Sequence, residues 1–191
     1  RPHYGAVSIP VTEALGRVTC QETRAAEDLP TFPRSAMDGY SLRAADTFGA
    51  SEGLPAYFNI AGEVPMGRSA QVSVGTGDAA LAYTGGMLAG GADAVVMVEN
   101  TQQVDAQTIE VVRPVAVGEN VVQPGEDIKK GEVILPLGHY LRPQDLGGLT
   151  AMGITNVSVA AKPKVAILSL GDEVVPPEAT PAEGQIRDIN T

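Results

Sequence analysis

A mostly β fold, rich in loops and giving way near its C-terminal end to the start of an α/β unit, is what this sequence predicts. Three features point to it. Glycine and proline, 22 and 14 of the 191 residues, break the chain too often for a helical bundle. Between them lie short alternating apolar stretches, the pattern of half-buried strands. One run, VAILS (165–169), is continuously apolar, the sign of a strand covered on both faces. Aromatics make up 4% and tryptophan is missing, so a core must be built from Val, Ile, Leu and Ala. The 43% apolar content is that of a folded protein, and the length holds one ordinary core or two small ones.

In chain order, VTEALGR (Val11–Arg17) has the spacing of a short amphipathic helix after Pro10. Pro30 and Pro33 forbid regular structure around Glu27–Arg34. SLRAAD (Ser41–Asp46) reads as a strand end or as one helical turn. AYFNIAG, QVSVGTG, AALAYTGG and ADAVVMVEN, between Pro55 and Asn100, read as short strands, and TIEVV (Thr108–Val112) as another that Pro114 ends. Glycines 118, 125, 131 and 138 then recur at six- to seven-residue intervals. That rhythm predicts a β-meander or small barrel, with KKG as a hairpin turn before EVIL. Pro143 suits the first position of a helix carrying Leu146, Leu149 and Met152. ITNVSVA (Ile154–Ala160) alternates like a strand. A new α/β unit is expected to begin near residue 162, and about thirty residues of it are too few to complete one. The chain is therefore expected to be a fragment of a longer protein.

A net charge of −10, from 13 basic and 23 acidic residues, argues against neutralising nucleic-acid phosphates. No apolar stretch approaches the ~18 residues of a membrane span. RPHYGAVSIP has no apolar core of a signal peptide. The single cysteine, Cys20, forbids an internal disulfide and fits a reducing cytoplasm. His3, His139 and Cys20 stand apart, with no zinc-site spacing.

Five places hold polar groups suited to chemistry. In SAMDGY (35–40), Asp38 either caps a turn or presents an acid at a cleft, with Met37 packed inward. In YTGGMLAGGADAVVMVE (83–99), two Gly-Gly pairs form a loop whose amides could face an anion. Thr84 offers a hydroxyl there, with Asp93 and Glu99 beyond. GEDIKKGE sets Glu126, Asp127 and Glu132 beside two lysines, which is also how a solvated hairpin reads. Asp172 and Glu173 follow VAILS, at the strand end where open α/β sheets bind ligands. Asp188 and Asn190 form a similar pair.

The succession LPTFPRSAMDGY, TGGMLAGGADAVVMVE, GEDIKKGEVIL, LGDEVV and GQIRDIN resembles the molybdopterin molybdenumtransferase family, MoeA in bacteria and the gephyrin E-domain in animals. The resemblance runs from about Val11 to the end. Departures are Gly86 where the family prefers Ala, Ala89 where it often has Pro, Leu170 for Thr and Ile189 for Ser. The resemblance implies a split elongated dimerisation domain (6–25 with 125–160), an inserted β-rich domain (26–124) and a truncated molybdopterin-binding α/β domain of the MoaB/MogA type (162–191). It implies a cytoplasmic homodimer that inserts molybdate into adenylyl-molybdopterin with Mg²⁺-dependent release of AMP. By motif position it assigns Asp38, Thr84, Asp127 and Glu173 to catalysis. Thr84, Gly85, Gly86, Asp172 and Asp188 would contact the pterin substrate, and Asp38 and Glu173 would hold Mg²⁺. A molybdopterin adenylyltransferase and molybdoenzyme-delivery proteins are implied partners, and the chain alone is expected to be inactive. The alternative is a non-catalytic dimerisation and partner-binding scaffold built from the same domains.

Overall fold

The computed structural model describes residues 5–190; His3 and Thr191 lie outside the described residues. Strand β1 (Ala6–Pro10) runs into a 3₁₀ turn (Val11–Glu13). Then come β2 (Thr23–Arg24), β3 (Arg34–Ser35), β4 (Gly39–Leu42), a 3₁₀ turn (Ala44–Thr47), β5 (Ala56–Glu63), β6 (Asp78–Ala82) and β7 (Ala94–Met97). A third 3₁₀ turn (Val98–Asn100) leads to β8 (Thr101–Gln103), β9 (Thr108–Val111), β10 (Val121–Val122) and β11 (Val133–Leu135). Helix α1 (Pro143–Ala151), β12 (Asn156–Ala160), β13 (Val174–Val175) and β14 (Ile186–Arg187) complete the chain. The mostly β reading holds, and α1 starts on Pro143, whose missing N–H costs nothing at that position.

The main sheet has the order β7-β4-β6-β5-β9-β8, antiparallel except for β5 beside β6. Its edges, β7 and β8, are consecutive in the chain and joined only by Val98–Asn100. Laid flat, six strands would hold those edges roughly 24 Å apart. The four Cα steps from Met97 to Thr101 reach at most about 14 Å. The sheet must therefore curl until its edges approach, as in a partly closed barrel. Leu42, Phe58, Ala79, Val96, Ile109 and Val111 fill one side of it, while Val64, Val74, Ala80 and Ala89 pack on the other. Small residues at Ala79, Ala80 and Ala82 let the central strand be covered on both faces.

A second core lies where distant ends of the chain meet. β1 pairs with β12 along its whole length, Ala6 opposite Ala160 and Pro10 opposite Asn156, and β2 pairs with β11. Val11, Ala14, Leu135, Leu141, Leu149, Val157 and Val159 close it. Helix α1 is anchored at its start by Asp145, which accepts the Arg142 N–H at 2.8 Å, the guanidinium at 3.1 Å and His139 Nε2 at 2.8 Å.

Several expectations need correction. Val11–Arg17 forms one 3₁₀ turn rather than a helix, because Gly16 adopts φ +73° and its N–H turns to Leu141 O. QVSVGTG contributes only a bridge between Ser73 and Gly90. SLRAAD splits, Ser41–Leu42 ending β4 and Ala44–Thr47 forming the 3₁₀ turn. The glycine-spaced stretch is not a meander. β10 pairs with β3 and β11 with β2, each reaching back about a hundred residues instead of pairing through KKG.

VAILS is not a strand and is not buried. Val165, Ile167, Leu168 and Leu170 are 57–87% exposed. A strand covered on both faces needs neighbours on both sides, and only β13 and β14 pair here, in parallel and two residues each. No helix follows among the described residues. No described helix is long and apolar enough to cross a membrane.

Candidate functional site

Strand register brings Asp38 and Thr84 together. In the antiparallel pairing of β4 with β6, Gly39 lies opposite Ala82, so Asp38 falls beside the residues that leave β6. One carboxylate oxygen, Oδ1, accepts the Thr84 N–H at 2.8 Å and the Thr84 hydroxyl at 2.9 Å. On the other flank Gly39 lies opposite Met97, and the Asp38 carbonyl accepts the Val98 N–H at 3.0 Å. The acid is thus pinned from both neighbouring strands, its main chain by one and its side chain by the other. Gly39 is what allows this approach, since a Cβ there would sit 1.9 Å from Val96 O.

The backbone N–H of Thr84, then its hydroxyl, hold the Asp38 carboxyl below the usual carboxylate range. The side chain is exposed, and its second oxygen has no partner among the described residues. The expectation that Met37 packs inward fails. Met37 is 41% exposed, because the Ser35 hydroxyl holds its carbonyl and turns the chain outward. Tyr40 packs against the main core instead.

The TGG loop is also held, and this removes its expected anion-binding amides. Thr84 N–H is spent on Asp38, Gly85 N–H on Ser35 O at 2.7 Å, and Gly86 N–H on Tyr83 O at 2.8 Å. Gly85 is exposed and Gly86 is buried, and the Met66 side chain lies against both. The two glycines line a depression of about 270 Å³, together with Phe32, Gly67, Arg68, Ser69 and Met87. Tyr83 donates to Glu63 at 2.9 Å. That bond, burial, and the negative charges of Glu63 and Asp38 raise the phenol above its ordinary value. Asp127 is ion-paired with Arg34 at 3.3 Å, and Arg34 precedes Ser35 in β3.

Asp93 and Glu126 cap backbone instead of facing this lip, Asp93 accepting the Ala44 N–H and Glu126 the Gln123 N–H. Glu132 likewise accepts the Lys129 N–H.

The sequence matches the family described as MoeA N-terminal region (domain I and II) over residues 3–153. The chain belongs to the MoeA family. It is 30% identical to a molybdopterin molybdenumtransferase of Staphylococcus aureus over 97% of this chain and 44% of the relative. It is 31% identical to molybdopterin molybdenumtransferase 2 of Mycobacterium tuberculosis over 97% of this chain and 45% of that one. The crystal structure of a molybdopterin biosynthesis MoeA protein from Pyrococcus horikoshii superposes with a TM-score of 0.88 at 39% identity, covering 97% of this chain and 47% of that chain. The chain thus spans just under half the length of these MoeA relatives.

The remaining candidates of this MoeA-family chain lie in its last thirty residues. Asp172 and Glu173 are exposed in the turn before β13. The Glu173 carboxylate folds over Gly171, where an added Cβ would strike it, and the Glu173 carbonyl accepts the Ile186 N–H at 2.8 Å. Asp188 accepts from the Ser169 hydroxyl at 2.7 Å and from the Asn190 N–H at 2.9 Å. A depression of about 430 Å³ lies between Leu168–Leu170 and Ile186–Asn190.

Among the described residues no three His, Cys, Asp or Glu side chains converge as a metal set. The donors around Asp38 are carboxylate and hydroxyl oxygens, which suit a hard cation that keeps most of its water. Reading the sequence missed Ser35, Glu63 and Arg68. Ser35 lay in view inside SAMDGY. Glu63 becomes visible only through the parallel pairing of β5 with β6, which sets Glu63 opposite Leu81 and so near Tyr83.

Proposed function

We propose that this chain is part of an enzyme of molybdenum cofactor biosynthesis that inserts molybdate into adenylyl-molybdopterin and releases AMP. The substrates are those that the names of its relatives suggest. The observation that carries the reading is the Asp38–Thr84 arrangement. It is an acid fixed through one oxygen, kept ionised, and left with the other oxygen facing out. Such a carboxylate is preorganised, so it needs no reorientation when charge develops beside it.

In this reading Asp38 is the acidic lip of a cleft, with Thr84 fixing its orientation and Arg34 holding Asp127 nearby. Release of AMP breaks a phosphoanhydride P–O bond, with water adding to phosphorus and the bonding pair leaving on the phosphate oxygen. Asp38 and Glu173 would hold Mg²⁺, which when bound screens the phosphate charges. Gly85 and Gly86 would lie against the pterin substrate, and Asp172 and Asp188 would contact it from residues 162–191, the opening of the α/β domain. The β-rich domain would be residues 26–124, and the dimerisation domain 6–25 with 125–160. In a homodimer the two sides of the cleft come from different subunits, and the 191-residue chain alone does not complete it. A molybdopterin adenylyltransferase would supply the substrate, and delivery proteins would accept the product.

The test is AMP release from adenylyl-molybdopterin by the intact protein carrying Asp38→Asn, with melting temperature as the control for folding. Asn keeps an oxygen for Thr84 but loses the charge. AMP release should fall by about 10²–10³-fold with the fold unchanged. Wild-type AMP release would sink the catalytic role and leave Asp38 a turn residue, as the scaffold alternative requires.

A further inference from the structure

The depression behind the TGG loop has a composition that the Asp38 lip does not explain. Its lining is mainly apolar and combines the side chains of Phe32 and Met87 with the backbones of Gly67, Gly85 and Gly86. Gly67 and Gly85 adopt positive φ, +72° and +82°, and nothing lies within 4 Å of where a Gly67 side chain would begin. The open backbone at Gly67 beside an exposed phenylalanine leaves room for a planar ring, with the Met66 side chain as its neighbour at Gly85 and Gly86. The volume of about 270 Å³ is at the small end for a ligand site, enough for one ring system with its substituent.

Arg68 supplies the charge. The other described arginines all place their guanidinium on an acceptor: Arg24 on Glu22, Arg34 on Asp127, Arg43 on Thr76, Arg113 on Glu119 and Arg142 on Asp145, with Arg17 and Arg187 on main-chain carbonyls. Arg68 has none among the described residues, in a chain of net charge −10. The Ser69 hydroxyl and the N–H groups of Gly67 and Ser69 are unpaired beside it in the same sense. The amides of Gly85 and Gly86 in the same lining are already bonded to Ser35 and Tyr83, so Arg68 and Ser69 are left to meet an anion entering here. A guanidinium with an adjacent hydroxyl and N–H matches a phosphate.

We infer that this depression is a binding subsite for a phosphorylated heteroaromatic, the ring lying against Phe32 and the glycine backbones and the phosphate on Arg68 and Ser69. This rests on the proposed function only in the identity of the ligand, because both the AMP half and the pterin-phosphate half of adenylyl-molybdopterin have this chemistry. Gly85 lines the subsite and directly follows Thr84, so a substrate seated here would reach the Asp38 lip within one residue of chain.

The experiment is calorimetric titration of the intact protein, wild-type and as Arg68→Ala and Phe32→Ala, with 5′-AMP, a phosphorylated pterin, adenosine and inorganic phosphate. Arg68 is exposed and Phe32 is 37% exposed, so both variants should fold, and their melting temperatures check it. One of the two phosphorylated rings should bind, weakened by about tenfold or more in Arg68→Ala and by about fivefold or more in Phe32→Ala. Which ring it is identifies the half of the substrate that sits here. Binding that neither substitution weakens, no binding of either compound, or phosphate alone binding as tightly as both would overturn the subsite. Asp38→Asn separates the two ideas. Arg68-dependent binding with wild-type AMP release in Asp38→Asn would retain the subsite and reject the catalytic reading, and the reverse pattern would do the opposite.

Discussion

Asp38 and Glu173 are both exposed acids next to a glycine or one residue from it, and the structure treats them differently. Asp38 sits at the end of β4 between two neighbouring strands, and residues leaving each of them send an N–H to it. Behind it lies a core that includes Leu42, Val96 and Phe58, each at most 1% exposed. Glu173 sits in a turn whose only regular support is a pair of two-residue strands, and no residue from 161 to 190 is buried. One acid is placed by long-range register and the other by local turns. Preorganisation of a charged group needs the first kind of support, since ordering it must outweigh the side-chain and backbone entropy lost. The contrast assigns Asp38 the fixed position in the site. Glu173 is left to gain its position from whatever covers Leu168 and Leu170.

The largest expected effect comes from breaking the support of Asp38 without touching its charge. Gly39→Ala would set a methyl 1.9 Å from the Val96 carbonyl. The obstacle is backbone, so no rotamer relieves it, and β4 must separate from β7. The cost should be about 3 kcal/mol, read as a drop in urea midpoint, and the hydrogen bonds from Thr84 to Asp38 should break in the same transition. A variant as stable as wild type would show that β4 and β7 are looser than their pairing indicates.

The same contrast explains what could be read from the sequence. AYFNIAG, AALAYTGG, ADAVVMVEN, TIEVV and ITNVSVA announced their strands because their side chains meet a core directly, as Phe58, Ala79, Val96, Ile109 and Val159 do. Pro143 announced α1 because its ring fixes the first helical φ. VAILS misled because apolar character records what a segment is suited to pack against, not whether that surface is within reach. The pairing of β10 with β3 and of β11 with β2 left no local trace, since strands of two or three residues have too few side chains to show a period. At the lip, SAMDGY and TGG were legible as motifs. That their residues meet through one Gly39–Ala82 register, and that this uses up the glycine amides, was not legible, because hydrogen-bond partners 46 residues apart have no sequence signature.

A smaller effect is expected at the start of α1, where long-range and local support combine. The Asp145 side chain is 8% exposed and bonded to Arg142 and His139. The Arg142 guanidinium chiefly, with His139 and the Arg142 N–H, holds its carboxyl well below the ordinary range against the opposing effect of burial. A depressed carboxylate binds fewer protons folded than unfolded, so its stabilisation is fully present above the ordinary carboxylate value near 4 and is lost as pH falls below it. Wild type should lose stability between about pH 5 and the acid limit of folding, and Asp145→Asn should flatten that limb while costing about 2 kcal/mol at neutral pH. The check is a urea midpoint measured against pH for both proteins. An unchanged acid limb would mean that Asp145 does not carry this linkage.

The smallest effect is expected where the contrast is sharpest. Leu168 is 83% exposed although it lies in the apolar run VAILS. Removing an apolar side chain that is already in water loses no burial and leaves no cavity, so Leu168→Ser should change the stability of the 191-residue chain by less than about 0.5 kcal/mol. The same substitution in the intact protein measures what the run is for. If the α/β unit covers VAILS on both faces there, Leu168→Ser should cost about 2–4 kcal/mol, the range for truncating a buried aliphatic side chain, and should also lower AMP release by displacing Glu173. A cost below about 0.5 kcal/mol in both proteins would show that the run stays uncovered. Asp38 and Glu173 would then differ permanently in support, and a cleft that depends on both acids being fixed would have to be given up.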